Sequence, residues 1–362
     1  MPRVKSSVLR PLACASLIGN VVLIVTGAAV RLTGSGLGCP TWPRCTDSSY
    51  TTTQEMGVHG AIEFGNRLLT ILLAFIALAC LVAAVRQRRR STVLLSIAVL
   101  LYIPVQAVIG GITVLTDLNP WVVGLHFLAS IGLIAVAYAL WRRTGEGDGK
   151  PVVLVPAALR NLARLTAVVS LAVIAVGVVV TGSGPHAGDL EAKRTGLDPS
   201  AIAQVHADLV FLLVGLTVAL CFALRAGDAP STAFRAAVTL LVIELSQGVI
   251  GFVQYFTQLP ILLVGAHMLG AGLVWTATLA VLWSMRRRPP VVVDVELPDS
   301  DEQDQPSDYR GRASEDQSRA STASAIRGAD DGSLRRNSDG SVSSSSPSNG
   351  APSDPGIRST RA

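Results

Sequence analysis

Hydrophobic positions in this chain gather into eight runs, near 11–31, 64–85, 92–116, 121–141, 161–182, 201–224, 233–257 and 260–284. Each is close to the roughly 20 residues that a helix needs to cross a bilayer. The pattern predicts an all-α integral membrane protein with eight transmembrane helices. The first run reads as a spanning helix and not as a cleaved leader. It is long, and it leads into Arg31-Leu-Thr-Gly-Ser-Gly-Leu-Gly-Cys without a small-x-small cleavage site. From about Val291 the apolar character stops. Residues 296–362, rich in Ser, Asp, Arg, Gly and Pro, read as a disordered cytoplasmic tail and more simply as a passive extension than as a docking or phosphorylation segment.

The runs also repeat. Gln106-x3-Gly110 followed by Gly124-Leu125-His126 returns as Gln247-x3-Gly251 followed by Gly265-Ala266-His267, each landmark 141 positions later. The repeat predicts three parts: a four-helix unit over 1–145, a second over 146–288, and the tail over 289–362. Four helices is an even number, so the second unit enters the membrane from the same side as the first. The two bundles are then related by a pseudo-twofold axis along the membrane normal.

Composition adds orientation. Half of the residues are hydrophobic and 15% are charged. Seventeen Lys and Arg fall on one side, among them Arg3, Arg86, Arg88, Arg142, Arg225 and Arg286, against five on the other: Arg31, Arg44, Arg67, Lys193 and Arg194. Positive charge collects on the cytoplasmic side, so both termini are expected in the cytoplasm. The net charge of +5 is a topology signal and points to no nucleic-acid partner.

A histidine in apolar sequence is costly unless something binds it. His126, His206 and His267 each fall in the first two turns of an even-numbered helix, near the outer surface. Shifting His206 back by the repeat lands on Gly65 or Asn66, in Ile62-Glu63-Phe64-Gly65-Asn66-Arg67. A lone intramembrane histidine is as often a packing residue as a ligand. Three at repeat-related positions favour ligation, and facing imidazoles in a four-helix bundle suit axial haem ligation. His206 and His267 form the complete pair, and His126 faces Asn66 or an open position. His59 shares the Asn66 face if its helix begins early, whereas His186 reads as a solvated loop residue. Cys39 and Cys45 flank Pro40-Thr-Trp-Pro-Arg in the first outer loop, where an oxidising compartment favours a disulfide over a redox-active thiol pair. Cys14, Cys80 and Cys221 read as small buried hydrophobes. Glu244, three residues before Gln247, is an intramembrane carboxylate without an assigned role.

The segment 27–45, Gly-Ala-Ala-Val-Arg-Leu-Thr-Gly-Ser-Gly-Leu-Gly-Cys-Pro-Thr-Trp-Pro-Arg-Cys, resembles the first outer loop of haem A synthases, and Glu63 to Arg67 resembles that family's Glu-x-x-His-Arg signature, with Asn66 in place of the histidine. The resemblance covers about residues 11–285. It implies oxidation of the C8 methyl of haem O to the formyl of haem A, by successive hydroxylations, for cytochrome oxidase. It also implies a haem b cofactor on His206 and His267, and substrate haem in the first half beside His126, Asn66, Arg67 and Arg31. Haem O synthase and cytochrome oxidase assembly factors become candidate partners, in the cell membrane, with a homo-oligomer left open. Glu63 becomes the candidate catalytic group, moving protons or stabilising a cation on the methyl carbon; the plainer reading is an acid at a helix N-terminus. Arg31 and Arg67 could pair with haem propionates or be ordinary interfacial residues. The competing function is a diheme b-type cytochrome exchanging electrons with quinone. A transporter fits less well, because its polar breaks belong near the bilayer midplane.

Overall fold

The computed structural model describes residues 8–290, so the reading of 296–362 as a tail lies outside the described residues. Among the described residues eight helices are long and apolar enough to cross a membrane, as the hydrophobic runs predict. They are α1 (Leu9–Leu32), α2 (Gly57–Gln87), α3 (Arg90–Leu115), α4 (Pro120–Thr144), α5 (Ala157–Ser183), α6 (Pro199–Ala226), α7 (Ser231–Phe256) and α8 (Ile261–Ser284). The shortest have 24 residues, which at ~1.5 Å per residue covers the ~30 Å hydrocarbon core. Large apolar side chains such as Phe75, Phe222 and Leu262 point outward, as lipid contact permits.

Buried positions are often small: Ala13, Ala77, Ala84 and Ala137 in one core, Ala163, Ala233 and Ala237 in the other. Small residues let helix backbones approach closely where lipid supplies no hydrophobic drive. The first core is built mainly by α1 to α4 and the second by α5 to α8. They meet along α1, α4, α5 and α8, where Trp275 Nε1 of α8 donates to the Ile131 carbonyl of α4 at 3.0 Å.

The turns position the histidine-bearing helices. Asn119 caps α4 by accepting from Trp121 N–H at 3.0 Å, and Asp198 caps α6 by accepting from Ser200 N–H at 3.0 Å. Pro120 and Pro199 occupy the first helical positions, where a missing N–H costs nothing. The α3–α4 turn carries two successive left-handed residues, Asp117 and Leu118, and the α7–α8 turn repeats them as Gln258 and Leu259. Leu118 N–H donates to Thr113 O at 2.8 Å, and Leu259 N–H to Gln254 O at 2.7 Å. The repeat seen in sequence therefore extends to backbone geometry in these two hairpins.

At the opposite end, β1 (Val152–Val153) pairs antiparallel with β2 (Arg286–Arg287) and ties the α4–α5 connection to the end of α8. Asp148 accepts from Arg89 and Arg143, both at 2.9 Å. Glu146 accepts from the Trp283 indole and pairs with Arg143 at 3.5 Å. The Arg89 guanidinium above all holds the Asp148 carboxyl below the usual carboxylate range.

Candidate functional site

The three apolar-sequence histidines stand at matched depth. His126 is the seventh residue of α4, His206 the eighth of α6 and His267 the seventh of α8. Each ring rests on a glycine of the preceding helix: His126 on Gly110, His206 on Gly177 and His267 on Gly251. A Cβ at those glycines would stand 3.2, 3.0 and 3.6 Å from the respective Cε1 atoms. Gly110 and Gly251 belong to the repeated Gln-x3-Gly motif, so the motif supplies the floor for the imidazole 16 residues further on. The partner glutamines also pack there. Gln106 donates to Ser130 Oγ at 2.6 Å, and Gln247 lies against Gly270.

His206 and His267 face each other with ring centroids 6.4 Å apart and planes at 74°. The Nδ1 atoms of His126, His206 and His267 are all enclosed without a hydrogen-bond partner. A transition-metal–imidazole bond is about 2 Å, so two rings on one iron stand with centroids roughly 6 Å apart. The pair thus fits a haem iron held axially. Among the described residues no three His, Cys, Asp or Glu side chains gather into a group that could hold a metal ion.

His126 has no such partner. Asn66 instead accepts from Thr26 Oγ1 at 2.8 Å, and among the described residues no hydrogen bond joins it to His126. Here α2 begins at Gly57, earlier than the hydrophobic run indicates, because the polar first turns carry too few apolar residues to register. Glu63 consequently sits in the second turn of α2, level with the histidines, and not at the helix start.

Glu63 is 6% exposed and both its oxygens are engaged. Oε2 accepts from Cys39 N–H at 2.6 Å and Oε1 from Arg67 at 2.6 Å. Arg67 also donates to the carbonyls of Cys39, Thr41 and Arg44 at 3.2 to 3.3 Å. Cys39 and Cys45 are joined by a disulfide with Cα atoms 4.4 Å apart. The Glu63–Arg67 pair therefore clamps the disulfide loop onto α2. Trp42, at the loop's centre, fills the space beside Gly111, next to the glycine under His126. Sequence reasoning missed Trp42 and Gly177. The doubled glycine 110–111 was the available signal for the first; nothing local marks the second.

Arg31 reaches across to the other half, donating to the carbonyls of His186 at 2.7 Å and Thr181 at 2.9 Å. Gly36 N–H donates to Gly188 O at 2.8 Å and joins the α1–α2 and α5–α6 loops beside it. Arg31 and Arg67 thus spend these donors on loop carbonyls. His59 lies on the exposed first turn of α2, hydrogen-bonded to Ser35 at 2.9 Å. His186 is half-buried beside Arg31 and Arg194; burial first, then these two charges, holds its imidazole below the usual range.

The family model described as cytochrome oxidase assembly protein matches residues 10–188. A Geobacillus kaustophilus protein named "Heme A synthase" is 31% identical over 138 residues, 37% of this chain and 43% of that relative. A Listeria welshimeri protein of the same name is 28% identical over 165 residues, 44% of this chain and 54% of its own length. A Halobacterium salinarum protein named "Protoheme IX farnesyltransferase" is 30% identical over 149 residues, 38% of this chain and 32% of its own length. The matched region therefore spans about a third to a half of these relatives.

Proposed function

We propose, from its similarity to haem A synthases and to the cytochrome oxidase assembly family, that this chain oxidises the C8 methyl of haem O to the formyl of haem A by successive hydroxylations. The observation that carries the reading is an asymmetry. One half holds two facing imidazoles 6.4 Å apart, and the other holds one imidazole with an acid and a disulfide loop beside it. A resident haem b on His206 and His267 supplies one-electron redox chemistry. A substrate haem must enter and leave, and single ligation by His126 suits exchange better than two permanent ligands.

In the substrate half, His126 orients the haem from the Gly110 floor. Glu63, fixed by Cys39 N–H and Arg67, presents fixed negative charge where positive charge develops on the methyl carbon. Trp42 and the disulfide loop shield that end from water, and Arg67 and Arg31 hold the loops in place. Both termini are assigned to the cytoplasm and the protein to the cell membrane, on the Lys and Arg bias. That a relative named for protohaem farnesylation carries a matching segment supports haem O synthase as a partner.

The test is the haem B, O and A content of membranes carrying variants. Glu63→Ala is expected to keep haem b and accumulate haem O. His126→Ala is expected to lose haem O binding and spare haem b. Normal haem A in Glu63→Ala removes the catalytic role of that carboxylate. Loss of haem b alone in His126→Ala reverses the assignment of the halves. Membranes with two haems b and no conversion of haem O would favour an electron-transfer cytochrome.

A further inference from the structure

One buried acid has no part in that scheme. Glu244 lies midway along α7 and is 3% exposed. Its Oε1 accepts from Thr217 Oγ1 of α6 at 3.0 Å, and its Oε2 is enclosed with no partner. Among the described residues no Lys or Arg forms an ion pair with it. Of the helices packed on α7, α6 brings Cys221 toward the carboxyl, its His206, Asp208 and Arg225 lying nearer its ends. In α8 His267 is the sole titratable residue, and α7 itself adds Arg235 and Tyr255 toward its ends. An intramembrane carboxylate without a cation is costly to keep charged, so it calls for a role.

Gln247, Gly251 and Gln254 follow Glu244 at the third, seventh and tenth positions, along one stripe of the helix. The Oε1 atoms of Gln247 and Gln254, like Glu244 Oε2, are enclosed and unpartnered among the described residues, and Gly251 is the residue beneath His267. Three unpartnered acceptors thus run from mid-membrane past the His267 ring toward the outer end of α7. Water is the donor that satisfies such enclosed acceptors. In the first half the corresponding residues are Ile103, buried, and Thr113, which donates to its own helix at Gly110 O. The acid and its full line of acceptors belong to the second half alone.

We propose that Glu244 is a proton-exchanging group linked to the iron held by His206 and His267. It takes up one proton when that iron gains one electron and releases it when the electron leaves, with water along Gln247 and Gln254 as the path. The proposal rests on the haem b reading above. The balance is one electron and one proton: ferric iron with a carboxylate becomes ferrous iron with a neutral carboxylic acid. In the test an inorganic one-electron reductant supplies the electron and an inorganic one-electron oxidant removes it. Seven residues of helix separate Glu244 from the His267 floor, about 10 Å of rise. At that distance, with an effective dielectric near 20, a unit charge changes proton affinity more than about tenfold. The ferric state, with the higher positive charge, favours the carboxylate.

The test is a potentiometric titration of the purified haem-loaded protein across pH, with redox-difference infrared spectra. In the wild type the midpoint potential should fall as proton activity drops, over a limited pH window and with a slope below the ~59 mV per tenfold change of complete one-proton, one-electron coupling, with a carboxylic C=O band in the difference spectrum. Glu244→Gln, which keeps the acceptor for Thr217, should flatten the slope and remove the band while retaining the low-spin spectrum. Glu244→Asp, which keeps the carboxyl, should retain a slope and shift the band. A flat wild-type potential, an unchanged slope in Glu244→Gln, or an unshifted band in Glu244→Asp overturns the inference. Wild-type protein without low-spin haem overturns the haem b reading instead.

Discussion

Gly177, Gly110 and Gly251 leave graded room beside His206, His126 and His267, from tighter than ordinary contact at the first two to ordinary contact at the third. Gly177→Ala must therefore move the His206 ring or the α5–α6 spacing, whereas Gly251→Ala need not move His267. Gly177→Ala is expected to reduce the low-spin haem absorbance severalfold and Gly251→Ala to leave it nearly intact, as read by reduced-minus-oxidised spectra. His206→Ala and His267→Ala should each abolish that spectrum, since removing either leaves the other imidazole without its axial counterpart. Gly110 and Gly251 were legible as repeated positions before any contact was known. Gly177 was not, because its role arises only where α5 meets α6.

The disulfide loop and α2 act as one element, closed by Cys39–Cys45 and clamped through Glu63 and Arg67. A crosslink over so short a loop contributes about 2 kcal/mol by chain entropy. The Cys39→Ser, Cys45→Ser double variant should melt at a lower temperature and be cut by protease within 39–56 while α3 to α8 stay protected. Intact protection of that loop would reject its role as a staple. The clasp that Asp148 forms with Arg89 and Arg143 is pH-sensitive. Asp148 has its folded affinity for protons lowered by Arg89 and Arg143, so its contribution is present above the ordinary carboxylate range and is lost as pH falls through the lowered value. The carboxylate is half exposed, so Asp148→Asn should cost at most about 1 kcal/mol. Melting curves of the two proteins should converge on acidification.

At the scale of the whole molecule, the two cores meet along α1, α4, α5 and α8, and Arg31 fastens the outer loops across that seam. Arg31→Ala removes two charge-assisted hydrogen bonds and should expose both outer loops to faster hydrogen exchange, leaving the inner clasp unchanged. The charge bias makes a separate prediction about sidedness. Cysteines placed at Lys150 and Lys193 in a background without free thiols should differ in reaction with a membrane-impermeant maleimide on intact cells. Only the Lys193 position is expected to label. Labelling at Lys150 instead would invert the topology.

Much was settled by the sequence alone. Eight apolar runs sized to the bilayer dictated eight helices, because backbone polar groups in lipid must pair within their own segment. The fixed offset between Gln-x3-Gly-…-His motifs marked His126 and His267 as equivalent, and their place in the apolar runs set them in the first two turns of their helices. What only the tertiary structure decided was which side chains meet. Asn66 falls opposite His126 by register and accepts from Thr26 Oγ1, and Arg31 and Arg67, readable from sequence as propionate partners or as ordinary interfacial residues, donate to loop carbonyls. Glu63 reads as the candidate catalytic group, with an acid at a helix N-terminus as the plainer reading; it lies in the second turn of α2, where its Oε2 accepts from Cys39 N–H of the disulfide loop. Periodicity along a chain reports which environment a residue occupies. Its hydrogen-bond partner is chosen by distances between segments far apart in sequence, and those exist only once the helices have packed.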